Sequence, residues 1–287
     1  MPTVTTSLGT ISYSDSAPDD GAAPPMLLLH ANRHDRRDYA PVHDALSDGR
    51  RVIAVDWPGH GNSPAPGAPL GAPELGDAAV EFVDVLNLRN LVVVGNSVGG
   101  YAACRIALER PDRVAGLVLV NTGGFTPHTP FSRAFCAVMG RPGVIRSCAR
   151  YFAHAYMRPT SAADRAIVSR VAARAKTPEG TRTGAALWRS FALPAHDLRS
   201  AAKDITAPVM ITWGARDLTA PVRWGKVVAQ SIPGARFTTL PTGHVVFSSE
   251  PEAWLREVLP FVESAQRAVH VEHVGDDEAG FAVRPHQ

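Results

Sequence analysis

Nine residues constrain this chain more than any others: Val92-Val93-Val94-Gly95-Asn96-Ser97-Val98-Gly99-Gly100. A short all-apolar run reads as a strand covered on both faces. It stops at Gly-x-Ser-x-Gly, and a helical run over 101–110 follows at once. A strand that passes straight into a helix through a serine must turn sharply. Side chains two positions either side of the serine would collide there, and Gly95 and Gly99 remove them. The serine is then lifted above the end of a sheet, where the first N–H groups of the helix have no partner of their own. That position suits an attacking alkoxide and the oxyanion its attack creates.

The hydrophobic pattern around this stretch alternates between two periods. Residues 3–6 and 10–13 flank Gly9 and read as an edge hairpin. Apolar runs at 26–29, 51–55, 91–94, 116–120 and 208–212 predict buried strands, and 236–240 predicts the last one. Helical spacing occupies 35–46, with Asp35 as N-cap, then 73–86, 224–231 and 252–265. The alternation breaks between 122 and 204, where arginine-rich helical runs at 131–139, 144–157, 162–175 and 184–191 replace strands. The expected fold is α/β: a mostly parallel eight-stranded sheet with helices on both faces and a helical cap inserted after the sixth strand. Core is expected at 1–124 and 205–266, cap at 125–204, and a polar, loosely ordered tail at 267–287.

Open parallel sheets place their sites at the carboxyl ends of the strands. The polar residues there are few. His30-Ala31-Asn32 ends the first parallel strand, Asp56 the second and Ser97 the elbow strand; Asn121, Asp217 and His244 follow the next three. A serine, a carboxylate and a histidine thus fall on one rim in the order Ser97, Asp217, His244. A serine hydroxyl needs a base to become a nucleophile, histidine titrates in the range to serve as one, and a carboxylate fixes its tautomer. The backbone N–H groups of Val98 and Asn32 are the expected oxyanion donors. His30 and His60 read as residues that shape packed turns, and Asp56 as a backbone cap.

Composition narrows the partners. A 287-residue chain with 45% hydrophobic residues can bury a sizeable core, and a net charge of +2 argues against nucleic acid. Cys104, Cys136 and Cys148 are an odd number without metal-type spacing, which fits reduced thiols in a cytoplasmic protein. No leader pattern and no membrane-spanning run is expected, and neither a metal nor a cofactor is implied. The partner is a small-molecule substrate. Phe125, Phe135, Met139, Tyr156, Trp188 and Val245 are expected to line an apolar pocket beneath the cap. Arginines between 141 and 189 read as a solvated face, with receipt of a substrate carboxylate as the alternative.

Over residues 20–266 the sequence resembles the α/β-hydrolase superfamily. His30-Ala31-Asn32 is similar to its oxyanion loop, and Asp56-Trp57-Pro58-Gly59-His60-Gly61-Asn62-Ser63 to its Asp-x-Pro-Gly-x-Gly-x-Ser turn. Gly95 to Gly100 resembles the nucleophile elbow, Trp213-Gly214-Ala215-Arg216-Asp217 the acid-bearing strand end, and Gly243-His244 the histidine loop. Ala31 stands where the family usually has glycine, a departure that strains the loop if the position takes positive φ. Serine at the elbow separates the chain from epoxide hydrolases and haloalkane dehalogenases, which carry aspartate there. The resemblance implies a serine hydrolase that cleaves a small or medium, largely apolar carboxylic ester or lactone through an acyl-enzyme. One alternative is a carbon–carbon bond hydrolase of vinylogous diketones, which Gly95-Asn96-Ser97-x-Gly-Gly and Gly123-Gly124 also resemble. Against it, the loop after His30 lacks the usual glycine-rich run, and Val245 stands where many such enzymes have tryptophan. The other alternative is a non-catalytic small-molecule receptor on the same fold.

Overall fold

The runs of Val, Leu and Ile become the middle of the sheet. Strands β3 (Met26–Leu29), β4 (Val52–Asp56), β5 (Leu91–Asn96), β6 (Val114–Val120) and β7 (Val209–Gly214) are buried almost throughout. Covered on both faces, they have no polar side to alternate with. The hairpin β1 (Thr3–Thr6) and β2 (Gly9–Asp15) forms one edge and β8 (Arg236–Leu240) the other. The structure, a computed structural model, describes residues 1–16 and 23–279. Strand order is β1-β2-β4-β3-β5-β6-β7-β8. The β1–β2 and β2–β4 pairs are antiparallel and every other pair is parallel. β5, the elbow strand, lies between β3 and β6.

Successive side chains of a strand face opposite sides, so each central strand feeds two cores. Leu27, Leu29 and Val93 point to one, where α2 (Ala72–Val85), α3 (Val98–Glu109) and α8 (Val222–Ser231) cover the sheet. Met26, Leu28, Val92 and Val94 point to the other, under α1 (Ala40–Ser47), the short α9 (Val246–Ser249) and α10 (Pro251–Ala279). Asp35 caps as expected, its side chain accepting from the Arg37 N–H, but the element it opens is a 3-10 turn that leads into α1. α10 runs on past 266 to Ala279, so no break separates core from tail at 267. Residues 17–22 of the expected early loop and 280–287 of the expected tail lie outside the described residues.

Four helices fill the interval between β6 and β7: α4 (Pro130–Met139), α5 (Pro142–Met157), α6 (Ala162–Arg174) and α7 (Pro178–Ser190). α5 packs on α6 and α7, and α4 on α7. α7 begins at Pro178, ahead of the expected 184. Its first two turns hold Gly180, Thr181 and Thr183, weak helix formers, but Thr177 caps it and proline occupies its first position.

One carboxylate pins α6 to α9. Asp164, fully buried on α6, accepts hydrogen bonds from Ser248 Oγ at 2.8 Å and Ser249 Oγ at 3.1 Å on α9. Its other oxygen accepts from the N–H groups of Thr160 and Ser161, at 3.0 and 3.3 Å. Asp164→Leu leaves the buried Ser248 hydroxyl without its acceptor and the Ser249 hydroxyl with only the Val245 oxygen at 3.3 Å. A loss of about 3 kcal/mol in unfolding free energy is expected by urea titration; a change below about 0.5 kcal/mol would show that the pin carries no load.

Candidate active site

Ser97 stands at the N-cap of α3 with φ 58° and ψ −116°, a conformation that serine adopts only under constraint. The constraint is close approach of backbones. A Cβ at Gly99 would lie 2.1 Å from the Leu29 carbonyl oxygen, and one at Gly95 would lie 2.3 Å from the Gly99 oxygen. The helix can therefore sit directly on the end of β3. The Ser97 carbonyl is held as well, accepting from the N–H groups of Gly100, Tyr101 and Gly123 at 3.0, 3.1 and 2.8 Å. Asn96 ties the elbow to its surroundings: its side-chain amide donates to the Val120 oxygen at 2.9 Å and to the His244 oxygen at 3.1 Å.

Asp217 follows β7 and is 4% exposed. Nδ1 of His244 donates to its Oδ2 at 2.5 Å. Asn121 Nδ2 donates to the same oxygen at 2.7 Å, while Oδ1 accepts from Thr219 N and Oγ1, both at 2.8 Å, and from Ala220 N at 3.1 Å. Burial alone would raise the carboxyl pKa. The charge and hydrogen bond of His244, with the backbone donors of Ala220 and Thr219, outweigh burial and hold it below the ordinary 3.8. His244 is seated by α5. Its N–H donates to the Tyr156 oxygen at 3.0 Å, and the Tyr156 ring meets the imidazole edge-on, with centroids 5.4 Å apart. Ser97 and His244 line one cavity of about 390 Å³. Among the described residues no hydrogen bond joins their side chains, a contact that often tightens only around substrate.

The wall holds two unused backbone donors next to the serine. Asn32 and Val98 both line the cavity, and their N–H groups meet no acceptor among the described residues. Val98 is the first residue of α3, where no intrahelical acceptor exists. Ala31 does not take positive φ; Arg33, two residues on, does, at 66°. Alanine in place of glycine therefore adds no φ strain to this loop. His30 is fully buried behind the wall: it accepts from Trp57 N at 3.2 Å and bonds the Ala31 oxygen at 2.7 Å, and burial lowers its pKa. Asp56 accepts from Arg36 N and Asn62 N, both at 2.9 Å, which makes it a backbone cap.

Of the expected pocket residues, Phe135, Tyr156 and Trp188 line the cavity. Phe125, Met139 and Val245 do not. Phe125 turns into the core beneath α3, Val245 into the core beneath α10, and Met139 is buried at the end of α4. The wall also includes Phe152, Phe191 and His196, whose pKa burial lowers to about 4. None of the arginines between 141 and 189 reaches it; Arg33 does. Asn96 and Arg33 are the site residues that sequence reasoning missed, and Asn121 was placed on the rim without a role. The two asparagines left a faint signal, an amide at a strand end. Among the described residues, no group of three His, Cys, Asp or Glu side chains is arranged to hold a metal ion, and no helix is long and apolar enough to cross a membrane.

A family model described as the alpha/beta hydrolase family matches residues 26–258, and the chain belongs to that family. Haloalkane dehalogenase 2 of Mycobacterium tuberculosis is 32% identical over 224 residues, which cover 74% of this chain and 76% of that protein. Among solved structures, the enol-lactonase from Burkholderia xenovorans superposes with a TM-score of 0.78 at 25% identity, covering 91% of this chain and 100% of its own. A thermophilic esterase from Thermogutta terrifontis shares the fold, with a TM-score of 0.76 at 21% identity over 92% of this chain and 98% of its own.

Two outcomes follow from the geometry. Gly99→Ala must part α3 from β3, so a loss of about 3 kcal/mol or more in unfolding free energy is expected; a fully stable variant would contradict the close approach. Because the folded pKa of Asp217 is lowered, its charge adds stability above about pH 4 that is lost as pH falls through the folded value. Urea titrations should show wild type exceeding Asp217→Asn at pH 7, with the gap closing below about pH 4. A gap independent of pH would place the stabilisation elsewhere.

Proposed function

We propose that the protein is a serine hydrolase acting on small or medium, largely apolar carboxylic esters or lactones, with Ser97, His244 and Asp217 as its triad. The observation that carries this reading is the Asp217–His244 hydrogen bond at 2.5 Å, with the imidazole and the constrained Ser97 facing one cavity. Ser97 Oγ attacks the carbonyl carbon while His244 Nε2 takes its proton. The oxyanion accepts hydrogen bonds from the N–H groups of Val98 and Asn32. His244 then gives the proton to the leaving alcohol, leaving an acyl-enzyme. Water attacks this ester, its proton passes to His244, and the acid departs as Ser97 recovers its hydrogen.

The wall of Phe135, Phe152, Tyr156, Trp188 and Phe191 favours an apolar portion of the substrate. Similarity to an enol-lactonase supports including cyclic esters. The activity in the dehalogenase's name does not carry over. A carboxylate that displaces a halide forms an ester, which water can open; serine would form an ether, for which this site has no cleavage chemistry.

A fluorophosphonate probe should label the wild type, and Ser97→Ala and His244→Ala should lose the label. p-Nitrophenyl butyrate should turn over with kcat/KM reduced at least ~10³-fold in each variant. Folded protein that takes no label would favour a ligand receptor instead. Faster turnover of a ring-cleavage diketone than of the butyrate would favour carbon–carbon bond hydrolysis.

A further inference from the structure

Arg33 is a buried cation with no counter-ion among the described residues. It is 3% exposed and lines the cavity that holds Ser97, one residue along from Asn32. Its φ of 66° turns it away from the path of β3, and its stem passes under α7 at a glycine: a Cβ at Gly184 would come within 2.8 Å of Arg33 Cδ. Nε and Nη1 are sealed from solvent without a hydrogen-bond partner, and no described carboxylate lies within ion-pair distance of the guanidinium. Neighbouring arginines are treated differently by the fold. Arg36 pairs with Asp56, and Arg170 reaches Asp35 at 3.3 Å and Asp38 at 2.6 Å. Guanidinium does not shed its proton in proteins, so the charge stays. Retaining an unpaired buried charge is costly unless something else supplies the opposite one.

The rest of the wall points the same way. No Asp or Glu lines the cavity among the described residues. The other arginine there, Arg223, is solvent-exposed and lies over the Trp224 ring at 5.8 Å. Three further lining groups lack partners among the described residues: the Trp188 indole N–H, the Asn32 side-chain amide and His196 Nε2. One buried cation on a wall that also carries aromatic rings and unpartnered neutral polar groups fits a monoanion; a phosphate would call for more charge.

We propose that Arg33 binds a carboxylate carried by the substrate, so that the ester or lactone cleaved at Ser97 is itself an anion. The words ester and lactone rest on the serine-hydrolase reading; the anion site is tested separately. In Ser97→Ala protein, calorimetric titration compares monomethyl glutarate, which carries a carboxylate, with dimethyl glutarate, which does not. The monoanion should bind roughly 10- to 100-fold more tightly. Adding Arg33→Met should bring that ratio close to one, and Arg33→Lys should restore part of it. Equal affinity of the two ligands for Ser97→Ala, or no binding of the monoanion, overturns the proposal. This comparison stands even if the Arg33 variants fail to fold. Fluorophosphonate labelling of the protein with Ser97 in place reports on the hydrolase reading alone. Labelled protein without anion preference ends the proposal and keeps the hydrolase. Unlabelled protein that still selects the monoanion does the reverse.

Discussion

The seating of α3 on the end of β3 is the contact on which the candidate site depends. Helix and strand approach so closely at Gly99 that any side chain would strike the Leu29 carbonyl. That approach forces Ser97 to positive φ, a strain of order 1–3 kcal/mol that persists only where its surroundings over-determine it. They do so here through three N–H donors on the Ser97 carbonyl and the Asn96 bridge to the Val120 and His244 carbonyls. The same few residues therefore fix the serine, the loop after β6 and the histidine loop relative to one another. Strain at the elbow is offset by hydrogen bonds that also assemble the site.

Helix α5 does more than line the cavity. The C-terminal end of α5 accepts the His244 N–H through the Tyr156 carbonyl, and a Cβ at Gly243 would strike the Met157 oxygen at 2.1 Å. The Tyr156 hydroxyl is held in turn: it meets His34 Nε2 at 2.7 Å, while His34 Nδ1 bonds the Asp38 carboxylate. A buried line runs from Asp38 through His34 to Tyr156 and so to the backbone that seats His244. Displacement of α5 would move the imidazole, and this couples the element that shapes the cavity to the one proposed to move the proton.

Much of this was legible in the sequence, for identifiable reasons. Strands buried on both faces print as unbroken apolar runs, so β3 to β7 could be read directly and the rim residues followed from topology. Glycines demanded by backbone contact print as a fixed spacing around Ser97. What did not print was the direction of side chains outside regular elements. Phe125 and Val245 sit beside rim residues in sequence but turn into opposite cores, and no period governs a loop. Arg33 was illegible for the same reason: its inward turn depends on one positive φ in an irregular segment. The early start of α7 was hidden because a cap and a proline overrode poor helix propensity.

The site's electrostatics separate two charges that a dry pocket would otherwise force together. Asp217 is buried, yet Asn121, Thr219 and Ala220 give it four hydrogen bonds that do not involve His244. Its charge is thus supported by neutral donors as well as by the imidazole. Arg33 is the opposite case: a fixed positive charge on the cavity wall that no described carboxylate pairs. Low polarity around the cavity strengthens both interactions, because fewer waters compete for them. An apolar wall is therefore compatible with a charged substrate, provided that the charge arrives beside the buried guanidinium of Arg33.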